Sequence, residues 1–240
     1  MSSIRLAVFD CDGTLVDSQH SIVACMTAAF AAAGLAVPAA EAVRRVVGLP
    51  LAASVARLEP QLAESECARV AELYKQAFTD MRATAPLDEP LFPGVRELLD
   101  ALEAEGVLLG VATGKGRRGL RITLEHHGLL GRFVTLQTAD DAPGKPHPEM
   151  LRRAMAETGA DPAATAMIGD TTFDILMALN AGTAAIGVGW GYHPPAELRA
   201  AGAHEVVDAA HEVRPAWARA AAPRQGGTRW DAGSGGSPWA

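Results

Sequence analysis

Cysteine is scarce: Cys11, Cys25 and Cys67 are the only three in 240 residues, far apart and without C-x-x-C spacing. That excludes a disulfide framework and a cysteine zinc site. Basic charge is also short, with 21 Lys and Arg against 28 Asp and Glu for a net charge of −7. A nucleic-acid or anionic-membrane surface needs a basic patch, so neither partner is expected. No apolar run is long enough to span a bilayer, because Asp10 and Asp12 interrupt the first and Pro38 stops the alanine-rich segment 24–37. No charged leader followed by an apolar core and cleavage site is seen, so a reducing cytoplasm is the expected compartment. There is no internal repeat. What is present, 49% hydrophobic and 20% charged residues, describes a globular chain, long enough for one sizeable core plus a smaller unit.

Residues 4–10 read as a fully buried strand. From Ser18 to about Ala83 the pattern is helical, with breaks at 34–38, 48–50 and Pro60. After a proline-marked joint at 86–93 it becomes alternating: helix 94–105, strand 107–113, helix 117–127, strand 133–137, helix 147–158, strand 164–170, helix 172–181, strand 184–189 and a weak strand at 205–207. Helices alternating with strands predict an α/β fold, a doubly wound parallel sheet with a Rossmann-like core. The expected division is a core of 1–16 and 86–214, an inserted α-helical cap of 17–85, and a flexible tail of 215–240, whose Ala, Gly, Ser and Pro content cannot offset ordering entropy. In such sheets ligands bind beyond the carboxyl ends of the strands, where Asp10, Asp12, Thr113 and Asp170 all fall.

Each of these residues has an ordinary reading. "DCDGT" (10–14) could be only a turn, since Asp bonds its own backbone and Gly tolerates positive φ. Thr113 could be a helix N-cap, Lys145 a solvated loop lysine, and Asp170 with Asp174 a capped helix start. "GVATGKG" (110–116) is not a nucleotide-binding P-loop, because only three residues separate Gly110 from Gly114 and Gly116 follows Lys115. Cys11 is read as packing, His126 and His127 as structural groups at a helix end, and His147 as a helix cap.

Taken together, "DCDGT", "VATGK" (111–115), "GKPHP" (144–148) and "IGDTTFD" (168–174) resemble, in order and spacing, the haloacid dehalogenase superfamily with a helical cap after the first strand, and its phosphoglycolate phosphatase-like members in particular. The resemblance covers about 4–209. It implies a magnesium-dependent phosphatase acting on a small phosphate monoester, 2-phosphoglycolate or a sugar phosphate, through an aspartyl phosphate. Asp10 would be the nucleophile and Asp12 the acid and base, re-aimed by the turn at Gly13. Thr113 and Lys145 would stabilise the transferring phosphoryl group, with Gly13, Thr14 and Gly114 beside it. Asp10, Asp170, Asp174 and the Asp12 carbonyl would serve Mg2+, Asp174 through water or by holding Lys145 in place.

The superfamily's dehalogenases lack the second aspartate, so Asp12 favours phosphate chemistry. Sugar phosphomutases of the β-phosphoglucomutase type carry a histidine and a cap-loop arginine at positions that fall on Ile22 and Leu51. A mutase, a pyrophosphatase and a non-enzymatic phosphate-binding role are the alternatives. Gly114 departs from the Asn that many phosphoglycolate phosphatases have there. The cap would close over the site as a monomer or homodimer, with Arg44, Arg45 and the 48–51 loop as candidates for substrate choice, unless the arginines form a solvated face.

Overall fold

The structure, a computed structural model, describes residues 4–84 and 88–221. Its centre is a six-stranded, wholly parallel sheet in the order β3-β2-β1-β4-β5-β6. The strands are β1 (Leu6–Phe9), β2 (Leu108–Thr113), β3 (Phe133–Thr138), β4 (Thr165–Gly169), β5 (Ala184–Val188) and β6 (Glu205–Val207). All four residues of β1 are buried because helices cover both faces, and its side chains alternate between them. Ala7 and Phe9 join the apolar cluster under α5 (Val95–Ala104) and α6 (Arg117–His126). Leu6 and Val8 join the opposite cluster under α7 (Glu149–Thr158), α8 (Thr172–Ala181) and α9 (Pro195–Ala200).

Between β1 and β2 the chain forms α1 (Gln19–Ala33), α2 (Ala40–Arg44), α3 (Leu51–Leu58) and α4 (Glu64–Thr84). These helices hold a third apolar cluster, with Ile22, Met26, Phe30, Val43, Val55 and Val70 inside it. The anticipated breaks fall where expected: Gly34 ends α1 at φ 75°, a conformation that costs glycine nothing.

The expected tail begins too early. Residues 213–221 form α10 (Val213–Ala221) against β5 and β6, with Ala216 and Trp217 buried in the core. Pro215 does not prevent this, since first-turn N–H groups have no intrahelical acceptor to lose. Trp217 supplies the apolar area that the composition hid. Trp230, Trp239 and the rest of 222–240 lie outside the described residues, as do 85–87.

In this strand order the chain works outward from β1 to β3, then crosses back to β4. The reversal point is the β1–β4 pair, whose carboxyl ends define the crevice. Phe9 is in register with both Val111 and Ile168, which brings the residues following β1, β2 and β4 together at one edge.

Candidate active site

Asp10 follows β1 directly, and its N–H still donates to Ile168 O at 2.9 Å, so the sheet fixes its backbone. Its Oδ1 accepts from Cys11 N–H at 2.6 Å, and its Oδ2 lies 2.7 Å from Lys145 Nζ. Gly13 then turns the chain at φ 86°, where a Cβ would stand 2.2 Å from Asp170 Oδ2. Only glycine allows the turn to pass so close to a carboxylate. Just before the turn, Asp12 has partners of its own: its Oδ1 accepts from Ser18 Oγ at 2.6 Å and faces Lys115 Nζ at 2.7 Å.

Asp170 follows β4 and is wholly buried. Thr14 Oγ1 donates to its Oδ1 at 2.8 Å and Tyr192 N–H to its Oδ2 at 2.9 Å. Asp174, one turn on, completes a capping box with Thr171 at the start of α8 and places Oδ1 2.6 Å from Lys145 Nζ. The capping reading of Asp174 therefore holds alongside its ion pair. Thr113 is not a cap, because α6 starts after Gly116; it is buried at the end of β2, its Oγ1 accepting from Lys115 N–H at 3.2 Å. His147 is not the N-cap of α7, which is Pro148, but lies just before it, its Nδ1 accepting from the first-turn Glu149 N–H at 3.2 Å.

Carboxylate oxygens of Asp10, Asp170 and Asp174 all lie within 4.8 Å of one another. Burial, reinforced by the neighbouring Asp174 and Asp12 charges, pushes Asp10 up to about 7 despite Lys145. Burial and the Asp10 and Asp174 charges hold Asp170 well above the ordinary carboxylate range. Burial would lower Lys145, but the same two carboxylates outweigh it and hold it above its usual value. Three carboxylates face one ammonium, so when all ionise two negative charges remain uncompensated. A divalent cation with a preference for hard oxygen ligands fits that donor set and that deficit.

The residues expected from the sequence thus gather at one edge, with two divisions. The side chains of Asp10, Asp170, Asp174 and Lys145 make one cluster, while Asp12 belongs to a second with Ser18 and Lys115. Lys115 had drawn no role from the sequence; the available signal was a lysine two residues past a strand end at the carboxyl edge. Burial would lower its ammonium, yet Asp12 and then Glu89 outweigh that and raise it.

Gly114 has a steric explanation. A Cβ there would stand 2.7 Å from Gly48 O and 2.8 Å from Leu49 O, and one on Gly144 would stand 2.0 Å from Pro50 Cγ. The 48–50 loop of the helical insert is seated on these two glycines. Arg45 pairs with Glu197 on α9, whereas Arg44 pairs with Glu41 on its own exposed helix. A cavity of about 820 Å³ opens between insert and sheet, lined by Asp10, Asp12 and Thr113 on one side and the 48–51 loop on another.

Known proteins agree with this architecture. The family model described as haloacid dehalogenase-like hydrolase matches residues 7–188. A probable phosphatase IndB of Dickeya dadantii is 40% identical over 209 residues, covering 87% of this chain and 91% of the relative. A phosphoglycolate phosphatase of Agrobacterium fabrum is 34% identical, covering 78% of this chain and 81% of the relative. The crystal structure of a predicted phosphatase from Clostridium acetobutylicum superposes with a TM-score of 0.80 at 26% identity, covering 89% of this chain and 98% of that one. With a parallel sheet, a carboxylate cluster at its edge and relatives named as phosphatases, the chain belongs to the haloacid dehalogenase-like hydrolases and is a phosphatase of that family.

Proposed function

We propose that the protein hydrolyses a small phosphate monoester by a magnesium-dependent route through an aspartyl phosphate on Asp10, in a cytoplasmic setting that keeps its three buried thiols reduced. The observation that carries this reading is the fully buried Lys145, held 2.7 Å from Asp10 and 2.6 Å from Asp174 beside Asp170, at the edge where Asp12 and Thr113 also converge. Asp10, Asp170 and the Asp12 backbone carbonyl would hold Mg2+, with Asp174 acting on Lys145. When bound, the ion neutralises charge on the carboxylates and on the phosphoryl oxygens.

An Asp10 carboxylate oxygen attacks phosphorus, the bond from phosphorus to the ester oxygen breaks, and Asp12 delivers its proton to the departing alkoxide. Asp12, now a carboxylate, takes a proton from water as the water oxygen attacks phosphorus. The bond from phosphorus to Asp10 breaks and inorganic phosphate leaves. The Thr113 hydroxyl and the Lys145 ammonium orient and balance the transferring group, the kind of positioning that supplies most phosphoryl-transfer catalysis. Gly13 keeps the turn tight, Thr14 steadies Asp170 and Gly114 admits the loop of the insert. That insert, about 17–85, acts as a cap excluding water over the substrate.

A mutase finds no support in the cavity: Ile22 and Leu51 both line it as apolar wall. The test is phosphate release from a panel of monoesters and pyrophosphate, with magnesium and with chelator. Metal-dependent release from monoesters is expected. Release unaffected by chelator, or confined to pyrophosphate, would contradict the proposal.

A further inference from the structure

The cavity beside Asp10 and Asp12 is larger and more apolar than a two-carbon substrate requires. About 820 Å³ lies toward the upper end of the roughly 300–1,000 Å³ typical of small-molecule sites. Part of its wall from the insert is hydrocarbon: Ile22 and Met26 of α1, Val43 and Val47, all buried or nearly so, and Leu51 of α3. Beside them, α4 presents Tyr74, which packs against the same cluster, and Phe78 one turn on, ring centroids 6.1 Å from each other and planes within 16°. The two rings stack on the cavity side of the helix.

Most cations near this space are already engaged or exposed. Lys115 is committed to Asp12 at 2.7 Å, Lys75 pairs with Glu72 in solvent, and Arg118 is exposed at the rim. Arg82 lies with its guanidinium carbon 4.3 Å from the Phe78 ring centre and donates to Thr123 Oγ1 at 3.4 Å. One polar handle remains: Arg82 Nε is buried without a partner among the described residues. Buried guanidinium groups ordinarily find partners, so an acceptor on a bound ligand suits this place.

Resting on the phosphatase reading, we infer that the substrate is a phosphate monoester whose alcohol carries a largely apolar ring system bearing a hydrogen-bond acceptor. The phosphoryl group sits at Asp10 and the ring lies along the Tyr74 and Phe78 side of the cavity, with its acceptor facing Arg82.

The test compares kcat/KM for ethyl phosphate, phosphoglycolate and naphthylethyl phosphate, whose leaving groups are all alkoxides. Burying one aromatic unit predicts that naphthylethyl phosphate exceeds ethyl phosphate by roughly 10- to 100-fold, and that phosphoglycolate gains nothing comparable. Ala71, also on the cavity wall, offers the complementary variant. Ala71→Trp fills the space, and the ratio of the naphthylethyl to the ethyl value falls at least about tenfold. Should that variant not fold, Phe78→Ala, which removes only a half-buried ring, lowers the same ratio. Hydrolysis of the small esters with phosphoglycolate preferred, or a naphthylethyl advantage absent in the wild type, overturns this inference while leaving the phosphatase reading intact. No hydrolysis of any ester overturns both.

Discussion

Replacing Lys145 by Met would leave Asp10 Oδ2 and Asp174 Oδ1, now 2.7 and 2.6 Å from its ammonium, buried without their counter-charge. Removing one partner of a buried ion pair costs about 3–5 kcal/mol, so Lys145→Met should lower the chemical-denaturation midpoint strongly as well as abolish turnover. The double change Asp174→Asn with Lys145→Met should recover part of the stability and none of the activity. Lys115 is a different case, since its partner Asp12 also accepts from Ser18 at 2.6 Å. As a positioning residue, Lys115→Met is expected to lower kcat by about 10²-fold, the usual penalty for a misplaced catalytic group, with a smaller change in KM. It should also move the pH profile of kcat, which a merely structural loss would leave in place. Steady-state kinetics across pH decides this.

Among the elements, the glycines under the insert make the most direct prediction. Gly114→Ala drives a methyl into Gly48 O and Leu49 O, which are backbone and cannot swing aside. The loop must lift, so KM should rise and kcat fall together while the melting temperature changes little; an unchanged KM would show that the loop does not seat during turnover. α10 offers a stability test instead. Trp217→Ala is expected to cost about 3–5 kcal/mol, read by chemical denaturation, because the ring is buried in the core.

These same elements show how far the sequence could be read. The alternation of apolar strands with amphipathic helices was legible, and with it the edge that collects Asp10, Thr113 and Asp170. The pairing of Lys115 with Asp12 was not, because it depends on the register of β1 against β2 and on the turn that aims Asp12. Arg45 and Glu197 stand 152 positions apart, and their pairing exists only once the insert docks. α10 escaped because an Ala, Arg and Pro composition reads as linker until Trp217 has a core to enter.

At the scale of the whole molecule, the proposed cation site at the carboxylate cluster would couple cation binding to folding. A ligand that binds only the native state adds stability as RT ln(1 + [L]/Kd), about 2.7 kcal/mol at a hundredfold excess over Kd. Magnesium should therefore raise the melting temperature and chelator reverse it. Asp170→Asn should remove the shift, since it deletes one of the three clustered carboxylates. On the proposed reading the insert and the sheet would be two walls around one chemistry, the sheet edge supplying nucleophile and acid and the helices supplying the cover. The most direct test of this account is to quench the enzyme during turnover of a monoester with magnesium and map any phosphoryl adduct by mass spectrometry. An acid-stable, base-labile adduct on Asp10 that disappears with turnover in Asp10→Asn is expected; undiminished turnover in that variant, or an adduct on another residue, would contradict the aspartyl-phosphate route.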